Sequence, residues 1–200
     1  MEHQRLIVIS YVGAPLAGKS TSLHFLAKHL PNARLSWRRR LVDREMVVEA
    51  DHPASKDVRV HIKTTGGAVW FPASWKMLLS EADALVLVLD AQAGRGEQQA
   101  EFLIELEDAI GKGRLDGRIP IVVQVNKVDL AADGGVMAAS IAGEQRQRFS
   151  SVGIRGSGVL EAFRAAVDVA MAASADAEAH STTVSGKQDW LPFGGRRTTR

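Results

Sequence analysis

The chain contains no cysteine, which excludes disulfides, thiolate metal ligands, prenylation and palmitoylation together. It has little charge excess, 25 Lys and Arg against 23 Asp and Glu, and only 6% aromatic residues. A nucleic-acid surface needs a broad positive field or an array of stacking platforms, and neither is present. No apolar run approaches the roughly 20 residues of a membrane helix. Met1 is followed by Glu2, without a basic segment and apolar signal or a glycine for acylation, so a cytoplasmic protein without a membrane anchor is expected. The six histidines, His3, His24, His29, His52, His61 and His180, lack the i,i+4 pairing of a metal site. What remains is 200 residues at 46% hydrophobic composition, enough for one domain but not two. Residues 1–173 are expected to form that domain. Residues 174–200, rich in Ala, Ser, Thr and Arg, are expected to be a disordered polar tail, with Trp190 and Phe193 as a candidate short binding motif.

The organising stretch is Gly13, Ala14, Pro15, Leu16, Ala17, Gly18, Lys19 and Ser20, followed by Thr21. An apolar run, Leu6 to Val12, precedes it and a helical pattern to about His29 follows it. Strand, loop and helix in this order, with G-x-x-x-x-G-K-[ST] at the junction, make a phosphate-binding loop (P-loop). Backbone N–H groups and the helix N-terminus converge on phosphate; Lys19 adds a positive charge, and the Ser20 hydroxyl suits Mg²⁺. Pro15 removes one N–H from that cradle.

Beyond the first helix, Leu30 to Ala33 breaks the pattern and Trp37 to Arg40 begins a new segment. Leu41 to Ala50 and Val58 to Lys63 read as a hairpin pair about the turn-rich 51–57. Pro72 to Ser80 reads as a short helix burying Trp75, Leu78 and Leu79. Asp83 to Asp90 and Pro120 to Asn126 are continuous apolar strands of the type buried in a parallel sheet. Helices are predicted over Glu97 to Ile110, Met137 to Arg148 and Val159 to Met171, and a short strand over Phe149 to Val152. Such alternation after a P-loop predicts an α/β fold, a doubly wound, mostly parallel sheet with helices on both faces.

Asn126, Lys127, Val128 and Asp129 follow the strand Ile121 to Val125. At that place an Asp carboxylate can accept from the ring N1–H and exocyclic amine of guanine, a donor pair that adenine lacks. Asn126 is expected to tie this loop to the P-loop, and the Lys127 stem to cover the base.

With these motifs the sequence resembles the Ras-like small GTPases over residues 5 to 170, and among them the bacterial MglA-type gliding-motility GTPases. Lys63 to Ala73 (Lys-Thr-Thr-Gly-Gly-Ala-Val-Trp-Phe-Pro-Ala) is similar to that family's T-V-P-G-Q-V-F-Y-N-A segment. The resemblance implies a G domain binding GTP or GDP with Mg²⁺. It puts Thr64 near the metal and gives Gly67 an N–H for the γ-phosphate. Val42-Asp43-Arg44-Glu45 resembles the family's T-D-R-T, which makes Arg44 a candidate catalytic arginine beside Lys19. A fifth nucleotide motif falls near Ser151 and Val152, and Gly156 to Glu161 continues the family pattern. The family also implies a Roadblock-type homodimer as regulator at the switch surface. The departures lie where hydrolysis is carried out: Ala68 stands at the place of the family's water-orienting Gln, and Glu45 at the place of its switch Thr. Three functions stay open at this point: a switch that hydrolyses GTP slowly or with a partner, a nucleotide-locked pseudo-GTPase acting as an interaction module, and a P-loop ATPase or kinase with Asp90 as its Mg²⁺-binding acid.

Overall fold

The structure, a computed structural model, describes residues 5–39, 44–66, 78–110, 119–133, 135–141 and 146–184. Seven strands form one sheet: β1 (Arg5–Val12), β2 (Arg34–Arg39), β3 (Arg44–His52), β4 (Ser55–Gly66), β5 (Ala84–Asp90), β6 (Ile121–Asn126) and β7 (Arg148–Ser151). Their order is β2-β3-β4-β1-β5-β6-β7. β4, β1, β5, β6 and β7 run parallel, while β2 and β3 are antiparallel additions at one edge. The helices are α1 (Lys19–His29), α2 (Gly96–Ile110), α3 (Val136–Ile141) and α4 (Val159–Val184). The expected P-loop α/β fold is present.

Side-chain alternation along the strands divides the core in two. Ile7, Ile9 and Tyr11 of β1 and Val86 and Val88 of β5 point to one face, packing with Leu23 and Leu26 of α1 and Phe163 and Val167 of α4. Leu85, Leu87 and Leu89 of β5 point to the other, against Phe102 and Leu106 of α2, Ala138 of α3 and Leu78 and Leu79. All seven residues of β5 are buried because both its faces and both its edges are covered.

Four local outcomes differ from the sequence reading. β2 is a strand in its own right, paired along its length with β3. β4 extends beyond Val58 and Lys63 at both ends. The helix predicted over Met137 to Arg148 is described as helix only to Ile141, and Arg148 belongs to β7, opposite Val123. α4 continues past Met171 to Val184, since the Ala-rich run after Met171 favours helix. Of the helix predicted over Pro72 to Ser80, residues 78–80 are described and are helical, with Leu78 and Leu79 buried; Trp75 and the rest lie outside the described residues.

Candidate functional site

The loops that follow β1, β5, β6 and β7 leave the same, carboxyl-terminal edge of the sheet, where open α/β sheets bind ligands. Strand register aligns them: Asp90 ends β5 opposite Asn126 of β6, and Asn126 stands opposite Ser151 of β7.

In the P-loop, Gly18 caps α1 in the left-handed region (φ 106°), provides no side-chain cap, and no acidic residue occupies the first helical turn. The leading N–H groups and the positive end of the helix are thus left to an anion, and Ser20 and Thr21 lie in that first turn. The cradle is sized for glycine: a Cβ on Gly18 would lie 2.1 Å from Asn126 Nδ2. Ala14 and Ala17 are buried below the loop, Pro15 is half-buried, and Leu16 stands exposed in the left-handed region (φ 65°). Gly13 closes the ring by accepting from Lys19.

Lys19 Nζ donates to the carbonyls of Gly13 (2.8 Å) and Ala14 (3.0 Å), which curls the side chain over its own loop. Burial lowers its pKa from 10.5 to about 8. Two pH effects follow. The unfolded chain holds this proton at higher pH than the folded one, so the stability of the nucleotide-free protein rises between about pH 8 and 10.5. Phosphate needs the ammonium form, so above pH 8 binding must take up a proton. Nucleotide affinity is therefore expected to fall between pH 8 and 9 by up to about tenfold. Titration heats that vary with the buffer's ionisation enthalpy will report the proton; constant affinity from pH 7 to 9 contradicts the assignment of Lys19.

Asn126, only 2% exposed, draws three loops together. Its Nδ2 donates to Ala17 O in the P-loop (2.8 Å). Its Oδ1 accepts from Gly153 N (2.8 Å) and from Ser151 Oγ (3.1 Å) in the segment after β7. Val152 follows, its N–H bonded to Ser157 O and its carbonyl accepting from Arg155 and Gly156. Lys127 adopts the left-handed conformation (φ 62°), and its Nζ reaches Asp90 Oδ2 (2.7 Å) and Gln92 Oε1 (3.1 Å). Asp129 sits exposed in the one-turn 3₁₀ helix Val128–Leu130, its carboxylate open to a ligand.

Asp90 is buried, with Oδ2 paired to Lys127 and Oδ1 accepting from Gln92 N (3.0 Å). Gln99 of α2 holds its backbone from both sides, accepting from Asp90 N (2.6 Å) and donating to Asp90 O (2.9 Å). This acid braces the Lys127 loop. A cavity of about 230 Å³ opens next to it, lined by Gln92, Gln99, Ala132, Asp133 and Ala138 among others. No P-loop residue lines it, so it is distinct from the phosphate cradle.

The switch candidates lie in the sheet. Thr64 is buried at the end of β4, and its hydroxyl donates to Tyr11 O (3.0 Å), leaving oxygen lone pairs for a metal or its water. Among the described residues no group of three His, Asp or Glu is placed to hold a metal. Mg²⁺ takes only one or two protein oxygens and fills its shell with phosphate oxygens and water, so hydroxyls such as those of Ser20, in the first turn of α1, and Thr64 are the kind of donor that suits it. Glu45 is buried within β3, in register between Arg38 and Thr65. The Arg44 guanidinium lies 5.8 Å over the Trp37 ring, and its strand is two strands from β1, about 10 Å. Gly67 and Ala68 lie outside the described residues.

The structure thus gathers Gly13 to Thr21, Asn126, Lys127, Asp129, Ser151 and Val152 at one edge and leaves Arg44 apart. Sequence reasoning passed over Gly153, Ser22 and Gln124. The signal for the last was a polar residue inside an otherwise apolar strand, Ile-Val-Val-Gln-Val.

No protein-family model matches the chain. Over 136 residues it is 29% identical to the mutual gliding-motility protein MglA of Myxococcus xanthus (strain DK1622), an alignment that covers 61% of this chain and 67% of that protein. Among solved structures it is similar to nucleolar GTP-binding protein 1 of Plasmodium falciparum, with a TM-score of 0.60 and 16% identity over 92% of this chain and 94% of the other. It is also similar to the G domain of the T. maritima iron transporter FeoB, with a TM-score of 0.58 and 15% identity over 83% and 99%. At these identities the two structures speak to fold alone, and the fold they share with this chain is that of a G domain. The sequence likeness to MglA and the G-domain fold thus agree with the resemblance to the Ras-like small GTPases.

Proposed function

We propose that the chain binds GTP and GDP with Mg²⁺ and acts as an MglA-like switch in the cytoplasm, hydrolysing GTP slowly or with a partner's help. The observation that carries this reading is Asn126, whose side chain bonds the P-loop through Ala17 and the segment after β7 through Gly153 and Ser151. The phosphate cradle and the loop that carries Asp129 are thereby tied to one another. In this reading Gly13 to Thr21 enclose the phosphates and Gly67 adds an N–H to the γ-phosphate. Asp129 selects guanine, with Asn126, Lys127, Ser151 and Val152 shaping the base subsite. Ser20 and Thr64 are the residues that would hold Mg²⁺, which would supply charge neutralisation at the phosphates.

Lys19 is positioned to leave its carbonyl partners for phosphate oxygens and stabilise their developing charge. Arg44 contributes only on leaving Trp37, which assigns it to a partner-bound state; a Roadblock-type homodimer at the switch surface is the proposed partner. Residues 1–173 make up the G domain in this account; the tail expected from residue 174 begins instead as helix, since α4 continues to Val184. Among the described residues no helix is long and apolar enough to cross a membrane.

A specific feature favours the second reading, a nucleotide-locked pseudo-GTPase. Ala68 has no group to orient water, Glu45 is buried in the sheet, and Arg44 is stacked on Trp37. Single-turnover assays with Mg²⁺, following bound GTP over hours with ATP as control, separate the two. Conversion to GDP, abolished in Lys19→Ala, supports the switch. Tight GTP without conversion, even with the regulator, supports the locked form, and preference for ATP sinks the guanine assignment.

A further inference from the structure

We propose that Gln124 is a positioning residue that locks the phosphate loop to the base-reading loops and so sets how long a guanine nucleotide stays bound; this inference rests on the nucleotide site proposed above. Gln124 lies in the middle of β6 and is fully buried, where an amide is costly unless it is hydrogen-bonded. Its Nε2 donates both protons, one to Ser22 Oγ on α1 (2.9 Å) and one to Ser151 Oγ at the end of β7 (3.0 Å).

Each serine passes the chain of bonds onward. Ser22 Oγ donates to Gly18 O (3.2 Å), at the end of the P-loop. Ser151 Oγ donates to Asn126 Oδ1 (3.1 Å), and Asn126 Nδ2 donates to Ala17 O (2.8 Å). Ala17 and Gly18 are adjacent, so the bonds close into a ring: P-loop, Ser22, Gln124, Ser151, Asn126, P-loop. Every hydroxyl proton in it points outward from Gln124, so only the NH₂ end of the amide satisfies both serines.

The ring fixes relative position more than it stabilises the fold. Among the described residues no donor meets Gln124 Oε1, so this side chain buries an acceptor without compensation. For folding alone, a methionine of similar volume would serve about as well. What methionine cannot do is join α1 to β7 through β6. Without that join, the bond from Asn126 to Ala17 is what remains of the ring between the phosphate and base loops, and a nucleotide that grips both is released when they part.

The test uses the full chain loaded with N-methylanthraniloyl-GDP and chased with excess GDP. Gln124→Met is expected to raise the dissociation rate about tenfold, the equivalent of about 1.4 kcal/mol, while the melting temperature shifts by less than about 3 °C. Ser22→Ala, which opens the same ring elsewhere, is expected to accelerate release in the wild-type background and to add nothing in Gln124→Met. That non-additivity is a readout that general loosening would not produce.

An unchanged rate in Gln124→Met, or effects of the two substitutions that multiply, overturns the inference. If Gln124→Met does not fold, Ser22→Ala decides alone: faster release supports the ring and an unchanged rate overturns it. A wild-type chain that never retains GDP sinks the nucleotide reading and this inference with it. Retention with unaltered release in the variants overturns the ring only.

Discussion

Asp129→Asn is expected to convert guanine recognition into xanthine recognition. The Asp129 carboxylate is exposed in the turn after β6, where both its oxygens can accept. Guanine offers N1–H and an exocyclic amine to such a pair; xanthine keeps N1–H but replaces the amine with an oxygen. Asn presents one acceptor and one donor, which matches xanthine and opposes guanine. The guanine complex loses one charge-assisted hydrogen bond outright, to a donor facing a donor, and the charge assistance of the other, about 4 kcal/mol in all, so GDP affinity is expected to fall about 10³-fold while XDP becomes the preferred ligand. Competition titrations of GDP, XDP and ADP against the variant measure this. GDP affinity that survives the substitution places base recognition elsewhere on the protein.

Gly18→Ala is expected to abolish nucleotide binding and to lower stability. Two effects add at this position. The backbone is left-handed (φ 106°), and the new Cβ would lie 2.1 Å from Asn126 Nδ2. Asn126 must then leave Ala17 O, which detaches the P-loop from the base loop. Strain and overpacking together cost about 3 kcal/mol, a fall in melting temperature of about 10 °C for a domain of this size. Gly94→Ala separates the two causes. Gly94 is also left-handed (φ 79°), but nothing lies within 4 Å of its would-be Cβ. It is expected to lose about 1 kcal/mol and to bind GDP as the wild type does. Thermal melts and GDP titrations of both variants give the comparison. Normal nucleotide affinity in Gly18→Ala would mean that the cradle does not hold phosphate.

Where the chemistry is local, the sequence was enough to read it. Gly13 to Ser20 is contiguous, and Asn126 to Asp129 follows a strand whose apolar run fixes its place in the sheet. The β5 and β6 strands were plain because residues buried on both faces leave a continuous apolar signature. β2 was not, for the converse reason. Its six residues, Arg-Leu-Ser-Trp-Arg-Arg, lie at the open edge and are almost all exposed, so the strand is made by hydrogen bonds to β3 with little burial behind it. Charge of this kind on an edge also discourages pairing with other chains.

The overshoot at Met137 to Arg148 has a related cause. Helical periodicity locates a helix better than it locates its end, and Arg148 is claimed by pairing with Val123. The polar ring under the site was the least legible feature. Gln124 reaches Ser22 across 102 residues and Ser151 across 27, and no local pattern encodes such a meeting. Likewise, no local pattern encodes that the Lys127 ammonium is held by Asp90, whose place at a strand end had suggested a metal ligand. Strand ends in this fold bring acids and lysines from separate loops to one edge, and only their three-dimensional pairing says which acid serves which lysine.

The most direct test of the central claim is an equilibrium titration of the full chain, stripped of copurified nucleotide, with GDP and with ADP in the presence of Mg²⁺. Asp129 and the loops that Asn126 gathers predict tight binding of GDP and at least about 10³-fold weaker binding of ADP, because adenine offers no donor pair to the Asp129 carboxylate. Equal affinities, or tighter ADP, would contradict it.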